Sequence, residues 1–407
     1  MRWWIAGLLA LATALNYLDR QSFPVVAGEI KKIIPFSNED YGRLTSVFLF
    51  AYALMYAGGG RIMDWLGTRW GYVLMIVWWS AANFLTGTVT SLVGLALCRF
   101  LLGMGEGGGF PGSAKAVAEW FPRNERSLAF GLFNSGSSIG AVIAPPLLAW
   151  IVLLWGWRWV FFITGSIGFV WAAIWLVSYR NPEENTSPSQ PVSGLPSETP
   201  GERIRWLSLF KFPQLWILMG AKFVTDAAWY FFIFWLPKYL GDVRELDIKS
   251  IGYFAWIPYA VGGAGSVLGG WLGSFLLRRN FTLNSARKIA LGIGASLLPV
   301  SLFIVSSPLQ YAIVFFSVAM FAHQFWSANI QTLPADLFPA SIVGSVGGLL
   351  GSAGSFGGML FGLLVGHLVE HGGYGPAFVI AGLLHPIAFL LILAGLRRIA
   401  PISSSST

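Results

Sequence analysis

Charge is scarce in this chain of 407 residues: Asp, Glu, Lys and Arg make up 11% of it, against 55% hydrophobic residues. That balance, with a mean hydropathy of +0.65, excludes a soluble globular domain and predicts an all-α membrane protein. Cysteine is nearly absent. Cys98 stands alone, which excludes an intramolecular disulfide and a thiolate metal cage. The four histidines, His323, His367, His371 and His385, form no HExxH motif, no Walker motif occurs, and no strand-borne GxSxG or GxGxxG context is present. On those grounds no metal, no cofactor and no enzyme activity are expected. The net charge of +8 is spread as short basic clusters between apolar runs, which fits a bilayer protein and not a nucleic-acid binder.

What the chain does have is apolar runs of spanning length. Roughly 20 mostly apolar residues cross a bilayer, and about twelve such stretches can be drawn: 3–27, 42–60, 71–90, 93–117, 127–152, 158–179, 213–237, 250–276, 287–306, 309–333, 342–369 and 374–396. The first runs on through Asp19-Arg20 without a small-residue cleavage site, so it is expected to stay as a helix and not leave as a signal peptide. From Arg180 to about Arg205 the composition turns to Asn-Pro, Glu-Glu, Ser, Thr, Pro and Gly, too polar to bury and too proline-rich for a helix. This predicts a cytoplasmic linker, 181–208, between two six-helix halves, 1–180 and 209–407.

Basic residues choose the orientation. Arg61, Arg69, Arg123, Arg126, Arg278, Arg279, Arg287, Lys288, Arg397 and Arg398 fall on one side, which should be cytoplasmic, with both termini there. The other side mixes Lys31, Lys32, Arg43, Arg158, Lys238, Arg244 and Lys249 with Glu29, Glu39, Asp40, Asp242, Glu245 and Asp247.

Four ionisable residues break the apolar pattern: Asp19 and Arg20 in the first span, Arg99 and Glu106 in the fourth. A charge at bilayer depth costs at least a few kcal/mol, so it marks a solute or proton pathway facing the bundle interior. Arg99 and Glu106 are seven residues apart, about 10 Å along one helix face, so one helix presents a cation and an acid to one cavity. If the two pair in the empty state, a proton on Glu106 would free Arg99 for an anion. Asp19 and Arg20 diverge by about 100° and should not pair with each other. Burial favours a neutral acid and a nearby guanidinium favours a charged one, so the two acids are candidates for proton exchange. Gly103, Gly105, Gly107, Gly108 and Gly109 around Glu106 allow close packing and some helix distortion.

Lys222 and Asp226 stand at i, i+4 and should bridge. Tyr17, Tyr52, Asn134, Ser135, Tyr230, Gln324, Ser327 and Asn329 are candidate hydrogen-bonding ligands for a polar solute, or helix–helix contacts. Histidine as a residue type titrates near neutrality, so His323 is either a proton relay or a packing residue.

The segment Gly60-Arg61-Ile62-Met63-Asp64-Trp65-Leu66-Gly67-Thr68-Arg69 resembles the G-x-x-x-D-x-x-G-x-R loop of the major facilitator superfamily. Gly60 and Gly67 suit close helix approach and a tight turn, and Asp64 suits a basic partner in a contact that breaks as the halves rock. The echo six spans later, Gly269-Gly270-Trp271-Leu272-Gly273-Ser274 before Arg278-Arg279, has Ser274 in place of the acid. An ion-pair latch carried mainly by Asp64 is therefore expected.

Asn16-Tyr17-Leu18-Asp19-Arg20, the run Arg99 to Gly107, and Phe133-Asn134-Ser135-Gly136 resemble the anion:cation symporter family within that superfamily. Trp229-Tyr230-Phe231, Phe234-Trp235-Leu236-Pro237-Lys238-Tyr239-Leu240, His323-Gln324 and Trp326-Ser327-Ala328-Asn329 are similar to segments of bacterial hexuronate and other sugar-acid transporters. The resemblance implies a major facilitator fold of twelve transmembrane helices and proton-driven uptake of an organic anion. It implies Asp19 and Glu106 as protonation sites and Arg20 and Arg99 as anion contacts. Galactonate-type members place a Gln in the fifth helix, where this chain has Asn134-Ser135-Gly136-Ser137-Ser138. The expected partners are a small organic anion, protons and the bilayer, for a monomer in a bacterial cytoplasmic membrane. Hexuronate symport, an aldonate such as galactonate or another carboxylate, and uniport all remain open at this point.

Overall fold

Thirty helical residues rise about 45 Å, enough to cross a bilayer, and several helices reach that length. The computed structural model describes residues 1–122, 125–180, 206–339 and 342–400; Arg123 and the linker stretch 181–205 lie outside the described residues. The helices are α1 (Arg2–Lys31), α2 (Asn38–Thr86), α3 (Leu92–Glu106), α4 (Gly109–Trp120), α5 (Arg126–Trp155), α6 (Trp157–Ser178) and α7 (Pro213–Asp242). After them come α8 (Ile248–Phe254), α9 (Trp256–Arg278), α10 (Leu283–Leu297), α11 (Leu309–Ile330), α12 (Leu333–Leu337), α13 (Val343–Gly372) and α14 (Gly375–Gly395). Among the described residues there is no strand.

Ten of these stretches are long and apolar enough to cross a membrane. One of the ten, α2, has 49 residues, enough to cross twice, and its backbone leaves the helix at Gly67 with φ 73° and ψ 160°. That left-handed conformation suits glycine and makes the tight turn that the motif predicts. α1 has the length but buries Asn16, Asp19, Arg20 and Gln21. With α1 and the second pass of α2 the passes number twelve, as the apolar runs predict. The segment read as a loop at 61–70 is helical except at Gly67.

One break and one close approach matter for the site. The fourth pass splits at Gly107-Gly108, between the end of α3 and the start of α4, so the glycine run interrupts the helix directly after Glu106. α5 lies against α1 at Gly136, where an added Cβ would overlap the backbone of Ala10. That approach presses α1, with its charged face, into the N-terminal half.

α2 packs on α13, α5 on α8 and α9, and α1 on α7, which joins the two sets of helices. Hydrogen bonds that cross between them gather toward the end where α2 begins. Asn38 N donates to Glu370 Oε2 at 2.8 Å, Ser46 Oγ to the Met359 carbonyl at 2.8 Å, and Tyr41 Oη to the Phe234 carbonyl. Tyr259 Oη donates to Gln21 Oε1 at 3.3 Å, and at greater depth Ser352 Oγ donates to the Ala53 carbonyl at 3.0 Å.

Candidate functional site

Asn16 and Arg20 are one helical turn apart on α1 and share a face, while Asp19 is turned about 100° away. The two faces meet different partners. Arg20 donates Nε and Nη2 to Glu106 Oε2 at 3.0 and 2.9 Å, and Nη2 also to Asn16 Oδ1 at 3.1 Å. The Arg20 and Glu106 side chains are 2% and 0% exposed. The guanidinium lies 4.8 Å from the Tyr17 ring centre, 4.7 Å from that of Tyr52 and 5.4 Å from that of Phe48. These rings offer electron-rich faces to a desolvated cation. Glu106 Oε1 is buried without a hydrogen-bond partner. A dry ion pair adds little stability over an apolar contact, while removing one partner costs about 3–5 kcal/mol.

Asp19 belongs to a separate network. Asn83 Nδ2 reaches Asp19 Oδ1 at 2.7 Å and Thr164 Oγ1 at 2.7 Å, and Asp19 Oδ2 is buried without a partner. Asn83 and Thr164 were not legible as site residues. The available signal was a lone amide in the apolar run Ala81-Ala82-Asn83-Phe84-Leu85.

The condition of an empty-state pair between Arg99 and Glu106 is not met in this structure. Two helical turns separate them along α3, and the carboxylate goes to Arg20 of α1 instead. The Arg99 guanidinium stands 5.3 Å from the Phe23 ring centre, with Nε and Nη2 buried and unpartnered. A buried cation with free donors is costly unless something anionic visits it.

The cage reaches the second half through aromatic contacts. Phe48 meets Phe234 edge-on at 5.8 Å, and Phe234 stacks on Tyr230 at 6.0 Å, whose hydroxyl shares a 3.3 Å hydrogen bond with Ser355. One turn before Tyr230, the Lys222–Asp226 bridge forms as its spacing predicts, at 2.7 Å to Oδ2 and nearly buried. Gln324 is half-buried and Asn134 is exposed. Ser135 Oγ donates to the Leu132 carbonyl of its own helix.

Two candidate ligands are turned to structural work. Asn329 is fully buried and donates Nδ2 to the carbonyls of Gly269 and Phe325, both at 3.0 Å, so it ties α11 to α9. Ser327 Oγ accepts from Gln331 Nε2 at 2.7 Å. His323 is hydrogen-bonded and stacked: Nδ1 lies 3.1 Å from Nε2 of His385, and the ring stacks on Trp229 at 4.7 Å.

At the turn in α2, Lys115 Nζ meets Asp64 Oδ1 at 2.7 Å, and Arg69 Nη2 donates to the Leu176 carbonyl at 2.7 Å. Gly60 does not serve a close approach, since a Cβ there meets nothing within 4 Å. The second half has an ion pair of its own, Arg287 Nε to Asp336 Oδ2 at 2.7 Å, beside the one at Asp64.

A bundle of membrane-spanning helices with a dry ion pair and an aromatic cage at its centre is the build of a multi-pass transporter. The family model of the Major Facilitator Superfamily matches residues 9–361, and the chain belongs to that superfamily. It is 32% identical over 410 residues to the hexuronate transporter of Escherichia coli (strain K12), covering 98% of this chain and 94% of that one. It is 32% identical over 308 residues to the galacturonate transporter of Dickeya chrysanthemi, covering 73% and 89%. Among solved structures, a bacterial homolog of the human lysosomal transporter Spinster, inward-facing and occupied, superposes with a TM-score of 0.76 at 21% identity over 97% of both chains, which shows the fold. The family and these relatives are transporters, not enzymes.

Proposed function

We propose that the chain is a proton-coupled symporter that brings a carboxylate sugar acid, a hexuronate such as glucuronate or galacturonate, into the cell by alternating access of halves 1–180 and 209–407. The supporting observation is the buried Arg20–Glu106 pair, with one carboxylate oxygen unpartnered and tyrosines on either side. A proton on Glu106 removes the charge that holds Arg20. The guanidinium fork is then offered to a substrate carboxylate, which it matches bidentately. Arg99 supplies a second cation, Asp19 with Asn83 a second proton site, and Tyr17, Tyr52, Tyr230 and Gln324 supply donors and acceptors for hydroxyls. Symport needs proton and anion to favour each other's binding by about 1–3 kcal/mol. The bacterial relatives support a cytoplasmic-membrane protein, and the basic clusters support both termini inside; we read it as a monomer.

The direct test is uptake of radiolabelled glucuronate and galacturonate into proteoliposomes with and without an inward proton gradient. Concentrative uptake only with the gradient is expected. Equal uptake in both would mean uniport, and accumulation of galactonate in place of either hexuronate would move the substrate to the aldonates.

A further inference from the structure

His367 and His371 stand at i, i+4 on α13, so both imidazoles leave the same helix face one turn apart. Glu39, from the first turn of α2 and 328 residues away in sequence, reaches the same point. Its Oε1 lies 3.0 Å from His367 Nδ1 and 3.9 Å from His371 Nδ1. One ligand atom from each of the three falls within 4.8 Å of the other two. We infer that Glu39, His367 and His371 form a binding site for a divalent transition cation of the zinc class, joining the first half of the chain to the second.

The chemistry fits that class. Zinc takes imidazole nitrogens at about 2.0–2.1 Å and carboxylate oxygens at about 2.0–2.2 Å, mostly in a tetrahedron, which places its ligand atoms about 3.3 Å apart. The 3.0 and 3.9 Å gaps bracket that spacing. Both histidine side chains are more than 60% exposed, and Glu39 is 30% exposed, so the rings can turn and water can fill the fourth position. Arg43 engages the other carboxylate oxygen, Oε2, at 3.3 Å and leaves Oε1 to the histidines. The sequence carries the paired histidines at i, i+4 in His367-Leu368-Val369-Glu370-His371, but not the third ligand, which comes from the other end of the chain.

Asn38 and Glu370, neighbours of these ligands, already join α2 to α13. An ion held beside them favours the arrangement in which this end is closed and opposes its opening. Binding itself is independent of the transport reading; its effect on uptake rests on it.

The test uses full-length protein without a polyhistidine tag, titrated with zinc chloride by calorimetry and by thermal unfolding. One saturable site per chain is expected, weakened at least about tenfold in His367→Ala, His371→Ala and Glu39→Gln, with a zinc-dependent rise in unfolding temperature that these variants lose. In proteoliposomes zinc should slow uptake several-fold, and chelation should restore it. No saturable binding, or equal affinity in the double variant His367→Ala/His371→Ala, would overturn the site. Absent uptake with intact zinc binding would count against the transport reading and leave this one standing.

Discussion

Arg20 directs Nε and Nη2 at a single oxygen of Glu106, Oε2, and leaves Oε1 bare. A fork spent on one oxygen is under-used, because a carboxylate with both oxygens in reach takes the two bonds in parallel. A substrate carboxylate that presents both can compete for the guanidinium once Glu106 is neutral. That relationship carries the first two predictions.

Glu106→Gln keeps the side-chain shape and cannot exchange a proton. Gradient-driven accumulation should fall at least about tenfold, while exchange of labelled for unlabelled substrate stays measurable. Undiminished uphill uptake would remove Glu106 from coupling.

Arg20→Lys loses the planar fork and should weaken substrate binding about tenfold, since a hydrogen bond to a charged group contributes roughly 1.5–3 kcal/mol. Arg99→Lys should also weaken it if the two unpartnered donors meet the anion. Unchanged affinity in both variants, measured by ligand-induced thermal shift, would place the carboxylate elsewhere.

Asn83→Ala deprives Asp19 and Thr164 of the amide that joins them. Leaving a buried acceptor unsatisfied costs about 1–3 kcal/mol, so the variant should unfold at lower temperature in detergent. An unchanged midpoint would mean that water replaces the amide without cost.

Gly136→Val drives a side chain into the Ala10 backbone and should destabilise by at least about 1–3 kcal/mol. Gly131→Ala, on the same helix with nothing within 4 Å, is the control and should leave stability equal or raised. Equal unfolding midpoints for the two would contradict the tight crossing of α1 and α5.

Asp64→Lys should impair transport far more than stability, because an exposed ion pair contributes at most about 1 kcal/mol. Reversing the pair with Lys115→Asp should restore part of the rate. Failure of the double variant to recover any transport would mean that Asp64 acts through something other than Lys115.

Twelve passes were legible because apolar runs of spanning length leave few alternatives in a bilayer. The buried charges of α1 and α3 were legible for the complementary reason, that nothing cheap explains them. Their partners were not. Spacing along one helix joined Arg99 to Glu106, but tertiary packing brings Arg20 across 86 positions and gives Asp19 to Asn83. Short-range pairs fared better: Lys222–Asp226 followed from one turn of helix. Asn329 stayed open between ligand and helix contact because an amide that ligates a solute and one that satisfies a neighbouring backbone look alike in sequence.

The bonds from Asn38, Tyr41, Ser46 and Tyr259 act as a hem sewn along one margin of the bundle. At roughly 1 kcal/mol net for each stitch, unpicking them together draws on energy comparable to that of a modest ligand. On the symport reading proposed above, cargo and proton supply it jointly, so a carrier sewn this way resists gaping on that margin when only one passenger has boarded.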